Sequence, residues 1–371
     1  MRIFLAELRK SFIHKRGWMI LLFLLFSQIF VYGFGTQSYN FQAERYREQY
    51  EFYLASFGGK IDEQKEKALS EEEERISSAE EELLSLFQKM YFGECTPEEY
   101  DKGLKEYRNV YQEKISFQQI QNQYDYARQD AEHRYIIDEN GWFASMHENR
   151  LNFLLTFCVI LMTVYVFSGE YETQMYGIIS CTPNGKRRTA VGKIAVCLMS
   201  VVMFGIITAA VCILSAFVKY GLSNGSYPLQ SVKYFSACQY NLTIWQGFLL
   251  SWCFKILALC IISMITSLCT VLLKRGVYAF FISVLVVILP YFIFDIDFIL
   301  KFIPYLGLSF GGLYFRGTEA ISPETDMIKM QPIPLTELLI VLGTGFALLL
   351  ICLLLTIRIW NNRPLNRRKK K

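Results

Sequence analysis

Long apolar runs, separated by short polar connections and by one long polar stretch, set the layout of the chain. Roughly 20 apolar residues at 1.5 Å per residue cross the hydrocarbon core of a bilayer. Runs of about that length occur at 17–35, 151–167, 194–218, 244–273, 277–294 and 338–360. They predict six transmembrane helices. Residues 1–16 put Phe4, Leu5, Leu8 and Phe12 on one helical face and Arg2, Arg9, Lys10, Lys15 and Arg16 elsewhere, the pattern of a helix lying in the membrane interface. The 17–35 run opens at Trp18, and no small-x-small cleavage site follows it, so it is read as an uncleaved anchor.

Two stretches break the regular pattern. Residues 298–315 are apolar enough for another crossing but contain Lys301, Pro304, Gly307, Gly311 and Gly312. They are read as re-entrant or interfacial helices, tolerable at membrane depth only where protein covers the broken backbone. Residues 36–150 are polar and Glu-rich, with helix signals throughout. Ser70 followed by three glutamates reads as a capping-box start, Thr96-Pro97-Glu98-Glu99 as a cap, a proline and acids at another helix amino terminus, and Gly58-Gly59 as a break. Helices are expected near 38–57, 61–91 and 97–138, forming an elongated antiparallel bundle. The competing expectation is a solvated, partly disordered acidic hairpin, because the apolar seam is thin.

Composition agrees with a membrane protein: 53% of the 371 residues are hydrophobic and 16% aromatic. Charge adds the orientation. The formal net charge of +4 hides a segregation, since residues 36–150 carry 14 Lys/Arg against 25 Asp/Glu, a net of −11. With six crossings the segments 1–16, 168–193, Lys274-Arg275 and the tail from Arg358 share one side, and they hold 18 Lys/Arg against Glu7, Glu170 and Glu172. Positive loops stay in the cytoplasm. The fold class expected is therefore an all-α membrane protein with six transmembrane helices and a helical extracytoplasmic insert between the first and second. It would sit as a multi-pass protein in the cell membrane with both termini cytoplasmic, the last residues, 361–371, forming a basic tail.

The connection at 168–193 carries the most information. Glu170 and Glu172 precede a stretch, Thr173 to Ser180, that can form two helical turns around Gly177; Pro183, Asn184 and Gly185 then break the chain. Lys186, Arg187, Arg188 and Lys193 follow and lead into the next apolar run. This order of acid, short helix, glycine, Ser-x-x-Pro, basic cluster and Gly-Lys resembles the first cytoplasmic loop of ABC-2 type permeases. The resemblance covers nearly the whole six-span chain apart from the 36–150 insert, which is larger than the first outer loop usual in that family. It implies a coupling helix that sits on a separate ATP-hydrolysing subunit, with Glu170, Glu172, Gly177, Pro183, Lys186, Arg187, Arg188 and Lys193 as the coupling residues. It further implies a homodimer or a second permease subunit, a bacterial host, and work in export or in resistance to antimicrobial peptides.

Other chemistry is scarce. No Gly-x-x-x-x-Gly-Lys-Ser/Thr loop is present, so the chain is not expected to hydrolyse ATP itself, and no enzyme activity or cofactor is expected. Gly221-Leu222-Ser223-Asn224-Gly225 matches a nucleophile-elbow spacing but lacks the strand-turn-helix context, so it is read as a turn. His14, His133 and His147 are scattered and form no metal-ligand pattern. Of ten cysteines only Cys95 and Cys238 fall on predicted outer segments, where a disulfide between them is open. Lys255 is the one charge well inside a predicted span. Intramembrane ions face a cavity or a partner, which makes Lys255, with Asp295 and Asp297, a candidate for the translocation path; the alternative is that Lys255 snorkels to the interface. Membrane lipids are expected partners and nucleic acid is not. A rival reading of the whole chain is a membrane receptor or scaffold that senses an extracellular ligand through the acidic helical insert without transport.

Overall fold

Apolar segments in a bilayer must satisfy every backbone N–H and C=O internally, so they become helices. The computed structural model describes residues 2–14, 17–35, 40–92, 96–147, 151–173, 175, 185–321 and 328–362. The chain begins with α1 (Arg2–Arg9), a π turn (Lys10–His14) and α2 (Trp18–Gly35). The polar insert contains α3 (Phe41–Arg45), α4 (Arg47–Phe57), α5 (Glu63–Tyr91), α6 (Pro97–Arg128) and α7 (Asn140–Met146). Then come α8 (Phe153–Glu172), α9 (Gly185–Tyr220), α10 (Ile244–Leu273) and α11 (Gly276–Ile293). Short helices α12 (Ile296–Phe302), α13 (Pro304–Gly307) and α14 (Leu313–Arg316) lead to a hairpin, β1 (Thr318–Ile321) and β2 (Ile328–Gln331), and to α15 (Leu335–Asn362). Six of these, α2, α8, α9, α10, α11 and α15, are long and apolar enough to cross a membrane. The protein is a helical, multi-pass membrane protein. It divides into two compact units, one made of Met1–Thr36, Glu148–Ser215 and Phe248–Lys371, the other of Gln37–His147 and Ala216–Gly247.

In the first unit α8 is the central helix, with 72% of its apolar window buried against 11% for α2 and 22% for α11 and α15. The less buried helices present Phe26, Phe281 and Leu354 to the surroundings, as lipid-facing helices do. Lipid is as apolar as leucine, so packing and interhelical hydrogen bonds, worth about 0.6 kcal/mol each, hold such a bundle. Such hydrogen bonds are present at three contacts. Asn152 caps α8 and exchanges amide hydrogen bonds with Gln28 of α2; Thr163 meets Ser263 of α10 at 2.8 Å, and Ser267 meets Thr356 of α15 at 3.2 Å.

The stretch expected to be re-entrant or interfacial is a chain of short helices packed on α10 and α15. Leu306, Leu308, Phe310 and Leu313 are buried there, and Tyr314 Oη donates to the Leu300 carbonyl at 2.8 Å. Gly311 permits the close approach, because a Cβ on it would lie 2.5 Å from the Ser251 carbonyl oxygen. The hairpin that follows was not expected from the sequence. Gly317, at φ 87°, turns the chain into it, and Thr318 pairs with Gln331.

The second unit is built on an α4, α5, α6 bundle rather than on a disordered hairpin. Its seam is aromatic: Tyr50, Tyr53, Phe57, Phe117 and Tyr124 pack with Leu69, Ile76 and Ile120. The Thr96 capping box forms as read, with Thr96 N–H donating to Glu99 at 2.9 Å. Ser70 does not start a helix. It lies inside α5, where Asp62 caps the first turn by accepting from the Lys65 N–H at 2.8 Å, and the Glu/Lys-rich sequence carries the helix through. The connection 219–243 between two predicted spans belongs to this unit, which takes in Ala216–Gly247. Trp142 of the fully buried α7 donates to the Ser223 carbonyl at 2.6 Å and packs edge-on against Trp245. Gly221-Leu222-Ser223-Asn224-Gly225 is thus the turn expected, with Gly221 at φ 75°. Cys238 is a buried free thiol here, while Cys95, its proposed partner, lies outside the described residues.

Candidate functional site

One end of the first unit gathers five parts of the chain. The last turn of α8 carries Ser168, Glu170 and Glu172; α9 begins at Gly185 and brings Lys193 in its third turn; α1 and the π turn bring Glu7 and Lys10. Gly276, opening α11, is so close to α8 that a Cβ would lie 2.7 Å from Glu172 Oε1. Trp360, near the end of α15, packs edge-on against Phe167 and Tyr171 of α8.

At the centre of this end is a buried ion cluster. Glu170 is 0% exposed and Lys193 1% exposed. Lys10 Nζ donates to Glu170 Oε1 at 2.6 Å; Lys193 Nζ pairs with Glu170 Oε2, donates to the Val166 carbonyl, and lies 3.6 Å from Glu7 Oε2. Two carboxylates and two ammoniums make the cluster neutral overall. Burial works to lower the Lys10 pKa, but the hydrogen bond and charge of Glu170, with the charge of Glu7, outweigh it and raise the value above normal. Lys10 therefore stays protonated through neutral pH. Phe4, Leu8 and Phe12 pack on the same core, so α1 is tied to the helix bundle by both charge and apolar contact.

Charges in such a place are locked rather than mobile. Buried ions are costly unless each is matched, so sliding α1, α8 or α9 past one another would expose unmatched charge. The chain matches no protein-family model, no curated protein and no solved structure.

The coupling residues read from the sequence separate into three groups. Glu170 and Lys193, expected in a connecting loop, are helical and buried together. Glu172 and the cations Arg187 and Arg188 are exposed, and Lys186 is half-buried. All four basic residues belong to α9, which starts nine residues before the predicted span because Lys and Arg are good helix formers and nothing after Gly185 interrupts it. Gly177, Pro183 and most of the short helix expected over Thr173 to Ser180 lie outside the described residues. Glu7 and Lys10 could not be read as site residues; the signal was a single acid, Glu7, in a segment otherwise charged only by cations.

Among the described residues the translocation-path candidates do not pair with one another. Lys255 is half-buried on α10 with its ammonium 4.4 Å from the Trp252 ring centre, a cation–π contact. Asp295 and Asp297 are exposed at the start of α12 and make no ion pair with it.

Proposed function

We propose that this chain is the permease subunit of an ABC-2 type transporter, exporting its substrate with energy from a separate ATP-hydrolysing subunit and working as a homodimer or beside a second permease subunit. The observation that carries the reading is the buried cluster of Glu7, Lys10, Glu170 and Lys193. It ties the amino-terminal helix to the two helices that flank the 173–184 connection, the segment that would meet the ATPase. A push on that connection would move α8 and α9 as one body with α1, and the spans would tilt together. On this reading the cation-rich end faces the cytoplasm, both termini lie there, and the acidic insert is extracytoplasmic in a bacterial cell membrane.

The receptor or scaffold alternative is favoured by one observation, a polar cleft in the second unit. Gentle purification of the full chain separates the readings. A stoichiometric ATPase with its own phosphate loop is expected to accompany it. Recovery of a kinase, or of the chain alone, would favour the receptor and overturn the permease reading.

A further inference from the structure

The second unit contains a cleft of about 430 Å³ whose lining includes Gln119, Gln123, Tyr126, Tyr135, Glu139 and Lys233. Small-molecule sites run from roughly 300 to 1,000 Å³, so there is room for a ligand of amino-acid size. Glu139 is the unusual member. It is 6% exposed, and one carboxylate oxygen accepts the Lys233 backbone N–H at 2.9 Å; the other has no hydrogen bond among the described residues. Gln123 also lines the cleft. Its Nε2 donates to Tyr50 Oη at 2.9 Å, while its Oε1 is enclosed and has no partner. A buried carboxylate with one oxygen open on the cleft calls for a donor-rich ligand.

An ammonium group supplies three donors and the charge that a buried carboxylate lacks. The cleft also has a cation. Lys233 is exposed at its side chain, with the ammonium 6.0 Å from the Tyr126 ring centre, and its charge reaches Glu139. One buried carboxylate and one exposed ammonium match a ligand with the opposite arrangement. We propose that this cleft binds a free amino acid, its ammonium against Glu139 and its carboxylate toward Lys233. The site is independent of the permease reading, since it needs neither transport nor an ATPase.

The groups around Glu139 set its pH response. Burial pushes its carboxyl up to about 7, the Lys233 N–H and ammonium oppose this, and Asp138 adds to it; Tyr126 and Tyr135 line the same space. An ammonium binds the ionised form. Affinity should therefore weaken about tenfold per pH unit below 7 and level off above it.

The test is calorimetric titration of the purified full chain in detergent with each of the twenty common amino acids singly, up to 10 mM at pH 8. For any that binds, the matching amine without the carboxylate and the matching acid without the ammonium are titrated too. Binding of at least one amino acid is expected, with each half-molecule at least tenfold weaker. Glu139→Gln should abolish binding without lowering the thermal unfolding midpoint, and Lys233→Met should bring the amine and the amino acid to equal affinity. No binding by any of the twenty would overturn the proposal. So would an amine as tight as its amino acid in the unsubstituted chain, or full affinity in both variants.

Discussion

Glu170 has no exposed surface, and its carboxylate oxygens are taken by Lys10 and Lys193. Removing one member of such a set leaves an uncompensated buried charge, typically at a cost of 3–5 kcal/mol. Lys193→Met and Glu170→Leu should each lower the thermal unfolding midpoint in detergent sharply. The double variant leaves Lys10 with Glu7 and restores neutrality, so its loss should be well below the sum of the single losses. Additive losses would show that the four charges do not act together. Glu139 obeys the opposite sign. Its carboxyl is raised from the ordinary value to about 7, so the stability it allows is full below about pH 4.5 and falls as pH rises through 7. Unfolding of the second unit, followed by hydrogen exchange in α7, should become easier between pH 5 and 8, by on the order of 3 kcal/mol. Glu139→Gln should remove most of that slope; a slope unchanged by the substitution would place its origin in other groups.

Elements were legible where a single property decides them. The six long helices follow from apolar length alone, and Thr96 announces α6 because its cap and acid lie within four residues of each other. The charged end was half legible: Glu170 and Lys193 stood out as acid and base around a turn, but their mutual burial depends on α1 returning to them, a contact 160 residues long in sequence between Lys10 and Glu170. The α7 helix and the hairpin were illegible for a different reason. Seven buried residues and two four-residue strands carry too little periodicity, and their partners are distant. The start of α9 offers a sharp contrast between loop and helix. Proline is tolerated in the first turn of a helix and costs about 3 kcal/mol inside it. Arg187→Pro should leave stability nearly unchanged, whereas Val191→Pro, at a side chain 49% exposed, should destabilise through the backbone alone. Equal tolerance of both in thermal unfolding would return residues 186–193 to a loop.

At the scale of the whole molecule, the order of helices along the chain and the contacts at their ends make one consistent topology. Within the first unit, the end of α1 with its π turn, the end of α8, the start of α9, the α10–α11 turn and the end of α15 converge. If each long helix crosses once, these are the ends that six crossings put on one side. Residues 37–147 and 216–247 fall within a single compact unit, and the same count assigns both to the other side. A seventh crossing through 298–315 would break that agreement, and the short helices there span at most seven residues each, far below the roughly 20 a crossing needs. The side that faces the cytoplasm is then a matter of charge, and on the proposed reading the 18 cations put the converging end there. Single cysteines placed at Glu81 and Asn366 in a cysteine-free background make the expectation measurable. An impermeant thiol reagent added to intact cells should label the Glu81 position within the acidic insert, and it should label Asn366 in the basic tail only after the membrane is opened. Labelling of Asn366 in intact cells would overturn the six-crossing topology, and protection of Glu81 with labelling of Asn366 would invert the orientation while keeping the two on opposite sides.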